Sequence, residues 1–334
     1  MADSPVANSE PSTTPPLPSH WRSVLGWVAV WLNTVVAGLW AFWGSIEAFH
    51  EGWRSETLLL NVLFVGLYLS FAGIAVTLGL LGLRFPRSGG VIVLLIGSTF
   101  AVWFLGMQNL SDAPPLNIVI GVAMAGFGGV LGLLWWFGRP RRKRLAYTVT
   151  WGVPLVVACV CGAQPAWRVA TRIDDTGDRS AQVITSNTGR TLVWAPQGPG
   201  WPTDRGYTWQ EAMDICARLE ADGRSLADTP QNIWRLPTIE EYVTSAMLHG
   251  ENAGGTWEAS TGTAQYERQP DKEVPLWNPQ SQIIYWWTST EVGKDKAYRV
   301  VYHGGVYAKP KVLGMGSGAF RAVRDATVAD ETGG

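Results

Sequence analysis

Apolar residues are gathered into the first half of this chain. Five runs, 24–43, 58–83, 90–110, 116–137 and 145–163, approach the roughly 20 residues that a helix needs to cross the hydrocarbon core of a bilayer. Charged residues between Ser23 and Ala163 fall in short clusters between these runs. The second run is longer than a straight span requires, which implies tilt. The fifth is the shortest and contains Pro154. After Ala163 the pattern turns polar, and helix and strand signals of ordinary soluble length replace the long runs. The chain therefore divides into a tail (1–20), a five-helix membrane region (21–163), a polar linker (164–180), a folded domain (181–325) and a small acidic tail (326–334). Both tails are expected to be disordered.

Within the folded domain, two helix starts are written as capping boxes. Thr208 precedes Glu211 by three residues, and Thr238 precedes Glu241 by three; in each pair the side chains satisfy the first free amides of a helix. Strands are expected at 192–194, 283–288, 297–302, 305–308 and 319–323, with His303-Gly304-Gly305 as a hairpin turn. The Gly, Asn and Pro-rich stretch from 250 to 282 reads as loops. The result is an α+β domain after a helical membrane bundle.

Basic residues set the expected orientation. Arg22, Arg84, Arg87, Arg139, Arg141, Arg142, Lys143 and Arg144 lie on one side of the spans, against Arg54 alone on the other. By the positive-inside rule the N-terminus is cytoplasmic and the C-terminal domain extracytoplasmic. The first 20 residues have no apolar core of a cleaved signal, so the first span serves as the anchor. The basic run 139–144 is suited to anionic lipid contact.

Composition narrows the function. Only 16% of the 334 residues are charged while 47% are hydrophobic, which excludes a purely soluble enzyme. A net charge of −1 and a pI near 6.4 give nucleic acid no purchase. The apolar runs carry no carboxylate, histidine or arginine in their cores, so they do not read as an ion or proton path. Asn33 and Asn61 read as interhelical hydrogen-bond partners. Gly121, Ala125 and Gly129, with Gly128 and Gly132, sit at four-residue spacing and allow close helix approach within the bundle. Trp21, Trp43, Trp53, Trp135, Trp136 and Trp167 suit interfacial anchoring. Cys159 and Cys161 lie in an apolar run, and Cys216 is the only cysteine after it, on the apolar face of the first capped helix.

Four motifs then carry a resemblance: Thr-Trp-Gln-Glu-Ala (208–212), Trp-Arg-Leu-Pro-Thr (234–238), Tyr-Trp-Trp-Thr-Ser-Thr-Glu (285–291) and Phe-Arg-Ala-Val-Arg (320–324). In this order they resemble the Lcl C-terminal domain, a bacterial family of unknown function. The resemblance spans residues 181–325 and implies a fold similar to C-type lectins and formylglycine-generating enzymes, with a role in adhesion or glycan binding at a cell surface. Trp234, Leu236, Phe320 and Val323 are expected in the core, with Arg235 tying loops together.

The residues themselves argue against chemistry. The domain has one cysteine where a formylglycine-generating oxidase uses two, and only His249 and His303 where a sulfoxide synthase of that fold needs three histidines. Gln269-Pro270-Asp271 and Trp277-Asn278 resemble pieces of the calcium-lectin motif. Their spacing is too short, and Pro279 replaces the next aspartate. No cofactor is expected, and calcium, which takes six to eight oxygen ligands, finds few here. Recognition through aromatic side chains is the remaining reading. Trp286 and Trp287 are adjacent on a strand, so one is expected inward and one outward. With Trp257, Trp277, Asn278 and Tyr307 they form the expected ligand-binding set, with Asn252, Glu258 and Lys294 as polar companions. The partners expected are membrane lipid and an extracytoplasmic glycan, cell-wall component or protein. An accessory-subunit role with a membrane-protein partner or second copy is the first alternative, and an enzyme on the formylglycine-generating-enzyme fold the second.

Overall fold

The protein is described by a computed structural model covering residues 19–106, 115–201, 205–312 and 318–332. The N-terminal tail up to residue 18, Asp112 and the end of the third apolar run lie outside these residues. The chain forms two compact units, Met1–Ala48 with Phe64–Ala163, and Phe49–Leu63 with Gln164–Gly334.

The first unit is built from helices α1 (His20–His50), α2 (Leu58–Arg84), α3 (Pro86–Gly106), α4 (Pro115–Phe137) and α5 (Lys143–Thr171), some of which run on beyond its limits. All five are long and apolar enough to cross a membrane, as the five runs implied. The fifth is longer than its apolar run: residues 164–171, expected as linker, continue α5. Arg168 in its last turn suits the negative end of the helix dipole.

Small residues set the packing of this unit. The buried stripe of α1 is Ser, Gly, Ala, Asn and Thr, with Val30 its one large member. Between α3 and α4 the backbones touch: a Cβ on Gly128 would stand 2.9 Å from the Gly97 Cα, and one on Gly132 would stand 2.7 Å from the Gly90 carbonyl oxygen. Gly129, one residue away, faces open space. Asn33 Nδ2 donates to the Ala75 carbonyl of α2 at 3.0 Å, the interhelical bond expected of it. Asn61 behaves otherwise. It accepts from the Ser55 amide and donates to the Ser55 carbonyl, so it caps the turn ahead of α2 rather than joining helices. Trp135, expected as an interfacial anchor, is fully buried in the bundle against Gly82.

The C-terminal domain is α+β. Its strands are β1 (Gln182–Thr185), β2 (Thr191–Trp194), β3 (Leu248–His249), β4 (Asn252–Ala253), β5 (Thr256–Glu258), β6 (Thr263–Gln265), β7 (Tyr285–Val292), β8 (Lys296–Val301), β9 (Val306–Pro310) and β10 (Val323–Asp325). The domain has two antiparallel three-stranded sheets, β1-β2-β10 and β7-β8-β9, and two separate hairpins, β3-β4 and β5-β6. Apart from β3, the hairpin strands fall in the stretch 250–282 expected to be loop. They are two or three residues long, too short to leave an alternating signature. Val323 pairs with Trp194, so the end of the domain closes on its beginning.

Both capping boxes are present. Thr208 starts α6 (Trp209–Arg218) and Thr238 starts α7 (Ile239–Glu241), which runs into a π-helical turn over Tyr242–Ala246. Residues after 325 form α8 (Val328–Thr332), where a frayed tail was expected; Arg324 holds Asp330 at 2.6 Å.

Candidate functional site

The expected aromatic site is rearranged by the fold. Trp286 is 2% exposed and Trp287 is 0%. Alternation does send the two rings to opposite faces of β7, but both faces are covered. Trp286 enters a cluster with Trp194, Tyr242 and Trp277, while Trp287 enters a second with Trp209, Trp234 and Phe320. The outward ring expected of the pair is therefore absent, and Trp277, 3% exposed, is core as well. Of the remaining set, Trp257 is half-buried edge-on to Tyr298, Asn278 is half-buried with its side chain accepting from the Gln280 amide, and Tyr307 is exposed on β9. These residues do not converge. Among their expected companions, Asn252 is buried and exchanges hydrogen bonds with the backbone of Asp271, whereas Glu258 and Lys294 are exposed.

The two aromatic clusters differ in how their polar atoms are satisfied. Trp287, Trp209 and Trp234 donate their indole N–H groups to the carbonyls of Tyr207, Thr288 and Glu220 at 2.8–2.9 Å. The indoles of Trp194, Trp201, Trp277 and Trp286 and the Tyr242 hydroxyl have no such partner in the protein. Four of these five residues and Arg321 line an internal space with no room for a water-sized molecule. Arg321 is buried there, its Nε donating to the Ala195 carbonyl at 2.7 Å and its head 3.8 Å from the centre of the Trp201 ring. Burial pushes its pKa down to about 9.

Three groups suited to acid–base or nucleophilic chemistry, Cys216, His249 and Lys272, are buried. Cys216 is buried and its thiol is pushed up by burial alone. Burial brings His249 down to about 4. Lys272 is 2% exposed; burial, then the nearby Arg172 charge, lower it to about 7 against the pull of Asp271. Its ammonium has no hydrogen-bond partner and stands 5.3 Å from the Tyr302 ring centre. None of these opens to a cleft. Glu241 has a structural task. Burial works to raise its pKa, but the Arg235 guanidinium, the Thr238 amide and Arg190 outweigh burial and hold it below its ordinary value. Arg235 binds both its oxygens at 2.7 Å, so the Trp-Arg-Leu-Pro-Thr motif locks one loop to the helix it starts.

Where α1 ends, ligand atoms of Glu47, His50 and Glu51 lie within 4.8 Å of one another. They are sequence neighbours, and the His50 ring already lies against Tyr302 and His303. A calcium set does not assemble at the lectin-like fragments: Pro270 is buried, the Asp271 backbone is tied to Asn252, and Asn278 caps its own turn.

An open cleft lies instead beside the β5-β6 hairpin. Asn187, Ala253, Gly254, Gly255, Thr256, Gln265, Tyr266 and Glu267 enclose about 330 Å³. Its groups are two side-chain amides, a hydroxyl, peptide units, one phenol ring and one carboxylate. Asn187 Nδ2 donates to the Gly255 carbonyl at 2.8 Å, and Tyr266 donates to the Gly304 carbonyl at 3.1 Å, which fixes the walls. Gly255 is required there, since a Cβ would overlap the Tyr266 ring. The three contributing segments are separated by up to 80 positions and no motif connects them, so none of these residues is in the expected ligand-binding set. No family model, curated protein or solved structure matches the chain.

Proposed function

We propose that this is a multi-pass membrane protein whose C-terminal domain stands on the extracytoplasmic side and recognises a neutral polar ligand, a glycan or cell-wall component, in the cleft beside β5-β6. The observation that carries the reading is the chemistry of that cleft. Side-chain amides, a hydroxyl and a carboxylate around one aromatic ring match the alternating hydroxyl and C–H faces of a sugar. Cys216, His249 and Lys272 are buried away from this cleft, so none of them gives it a nucleophile or an acid–base group. Eight basic residues before the first span and in the loops on one side, against Arg54 alone in the loops between spans on the other, support the orientation. The resemblance to the Lcl C-terminal domain over 181–325 agrees with a surface recognition role.

The test is binding of the full-length protein, in detergent, to immobilised glycans and cell-wall fragments. Thr256 and Gln265 are exposed, so Thr256→Arg and Gln265→Ala should leave the fold intact. Thr256→Arg should abolish saturable binding, and Gln265→Ala should weaken it by about 1 kcal/mol, the worth of one hydrogen bond. Asp214→Arg, beside a separate cleft on α6, serves as the control. Equal loss in all three variants, or no saturable binding in the wild type, would remove the reading.

A further inference from the structure

The cleft beside β5-β6 holds its hydrogen-bonding groups unevenly, because many of its donors are spent on its own walls. The Asn187 amide donates to the Thr244 carbonyl at 3.4 Å, and Asn187 Nδ2 donates to the Gly255 carbonyl at 2.8 Å. Successive glycine amides are the groups with which a turn can cradle an anion. Here they point elsewhere: the Gly254 amide donates to the Met247 carbonyl at 2.6 Å and the Gly255 amide to the Val243 carbonyl at 3.0 Å. The Tyr266 hydroxyl is committed to the Gly304 carbonyl.

Acceptors are what remain. Glu267 lines the cleft at an exposed position, and its side chain has no hydrogen bond or ion pair among the described residues. Its neighbour Arg268 is engaged by Glu251 at 3.1 Å. No lysine, arginine or histidine lines the cleft, so Glu267 is its one charge. An ionised carboxylate only accepts hydrogen bonds, whereas the exposed side chains of Thr256 and Gln265 can both donate and accept. A ligand rich in donors fits this balance. A ligand carrying its own carboxylate or phosphate would bring a second negative charge to Glu267 with no cation in the lining to offset it.

We propose that Glu267 sets the specificity of the cleft, accepting from free hydroxyls of an uncharged sugar unit and turning away units that bear a uronate or phosphate group. This selectivity rests on the reading of the cleft as a glycan site and names the class of glycan it takes.

The test uses the neutral glycans that the full-length protein retains in detergent. For each, affinity is measured for the parent and for two matched forms, one with a uronate in place of a hexose and one with a 2-amino group as a charge probe. The uronate should bind at least about fivefold more weakly than the parent, the effect of one like charge roughly 4 Å away in water, and the amine more tightly by a similar factor. Both differences should shrink as salt rises from about 0.01 M to about 1 M, since the screening length falls from about 30 Å to about 3 Å. Glu267→Gln should bring the three forms within about twofold of one another, because it removes the charge and keeps an acceptor. Asp214→Asn, the same charge change beside the separate cleft on α6, should leave the wild-type order in place. Uronates held as tightly as their parents, retention of acidic glycans alone, or the wild-type order preserved in Glu267→Gln would each overturn the selectivity and leave the glycan reading standing. Retention of no glycan by the wild type would remove both.

Discussion

The membrane unit and the C-terminal domain solve the same packing problem with opposite residues. The bundle closes on its smallest side chains: Gly97 meets Gly128, Gly90 meets Gly132, and α1 buries alanines and serines while turning Trp31 and Leu39 outward. The domain closes on its largest, with Trp194, Trp201, Trp286 and Trp287 each no more than 2% exposed. The solvent explains the contrast. Lipid tails are as apolar as leucine, so helices gain little by hiding large side chains and gain more from close backbone approach. In water, each aromatic ring removes a large apolar area from solvent, and a domain of this size needs that area to offset chain entropy.

The comparison can be broken first at the tryptophans. Trp287→Ala should destabilise the C-terminal domain by about 3–5 kcal/mol, whereas Trp151→Ala, on an exposed face of the bundle, should change stability by less than about 0.5 kcal/mol. Intrinsic fluorescence during denaturant titration would report both. Equal costs would end the argument from solvent.

Lys272 sharpens the domain side. Its folded pKa, about 7, lies below its ordinary 10.5. The unfolded chain therefore binds more protons between those values, and stability should rise as pH increases through that window. The gain should be on the order of a few kcal/mol, and Lys272→Met should flatten it. Denaturant midpoints at pH 7 and pH 10 for the two proteins decide the matter; a parallel rise in both would assign the effect to other groups.

The bundle side is sharpened by Gly128→Leu, which should lower the thermal midpoint in detergent, at a cost of about 1–3 kcal/mol from forced separation of α3 and α4. Gly129→Leu, facing open space, should leave it unchanged. Smallest of the four is Thr208→Ala, which removes the cap of α6 and should cost about 1 kcal/mol, read as earlier protease cleavage near residue 209.

Local signals were legible. The five apolar runs, the two capping boxes and the β7-β8-β9 meander all follow from neighbours in sequence or from a period of two or 3.6, whereas the strand expected at 319–323 forms at Val323–Asp325, where it pairs with β2. What could not be read depends on a second surface arriving from elsewhere. The pair Trp286-Trp287 alternates as a strand must, yet nothing near residue 287 announces that α6 and Trp234 cover its outer face. Nothing in the sequence around Lys272 marks its burial, which comes with Tyr302 and the segments around Arg54 and Arg172. The β5-β6 cleft takes Asn187 from a turn far upstream. Gln164–Thr171 read as a stalk because its composition is polar, although its backbone continues α5.

The connection between α1 and α2 belongs to the C-terminal unit: the Trp53 carbonyl accepts from Arg172 at 3.2 Å, and the His50 carbonyl accepts from the Tyr302 hydroxyl across 252 positions of sequence. During synthesis that connection leaves the ribosome long before the residues it joins. At roughly 5–20 residues per second, His50 waits between roughly 10 and 50 s for Tyr302 to be made. The last contacts of the domain are thus formed by a segment translated among the first, so the domain cannot mature while its own final strands are still on the ribosome.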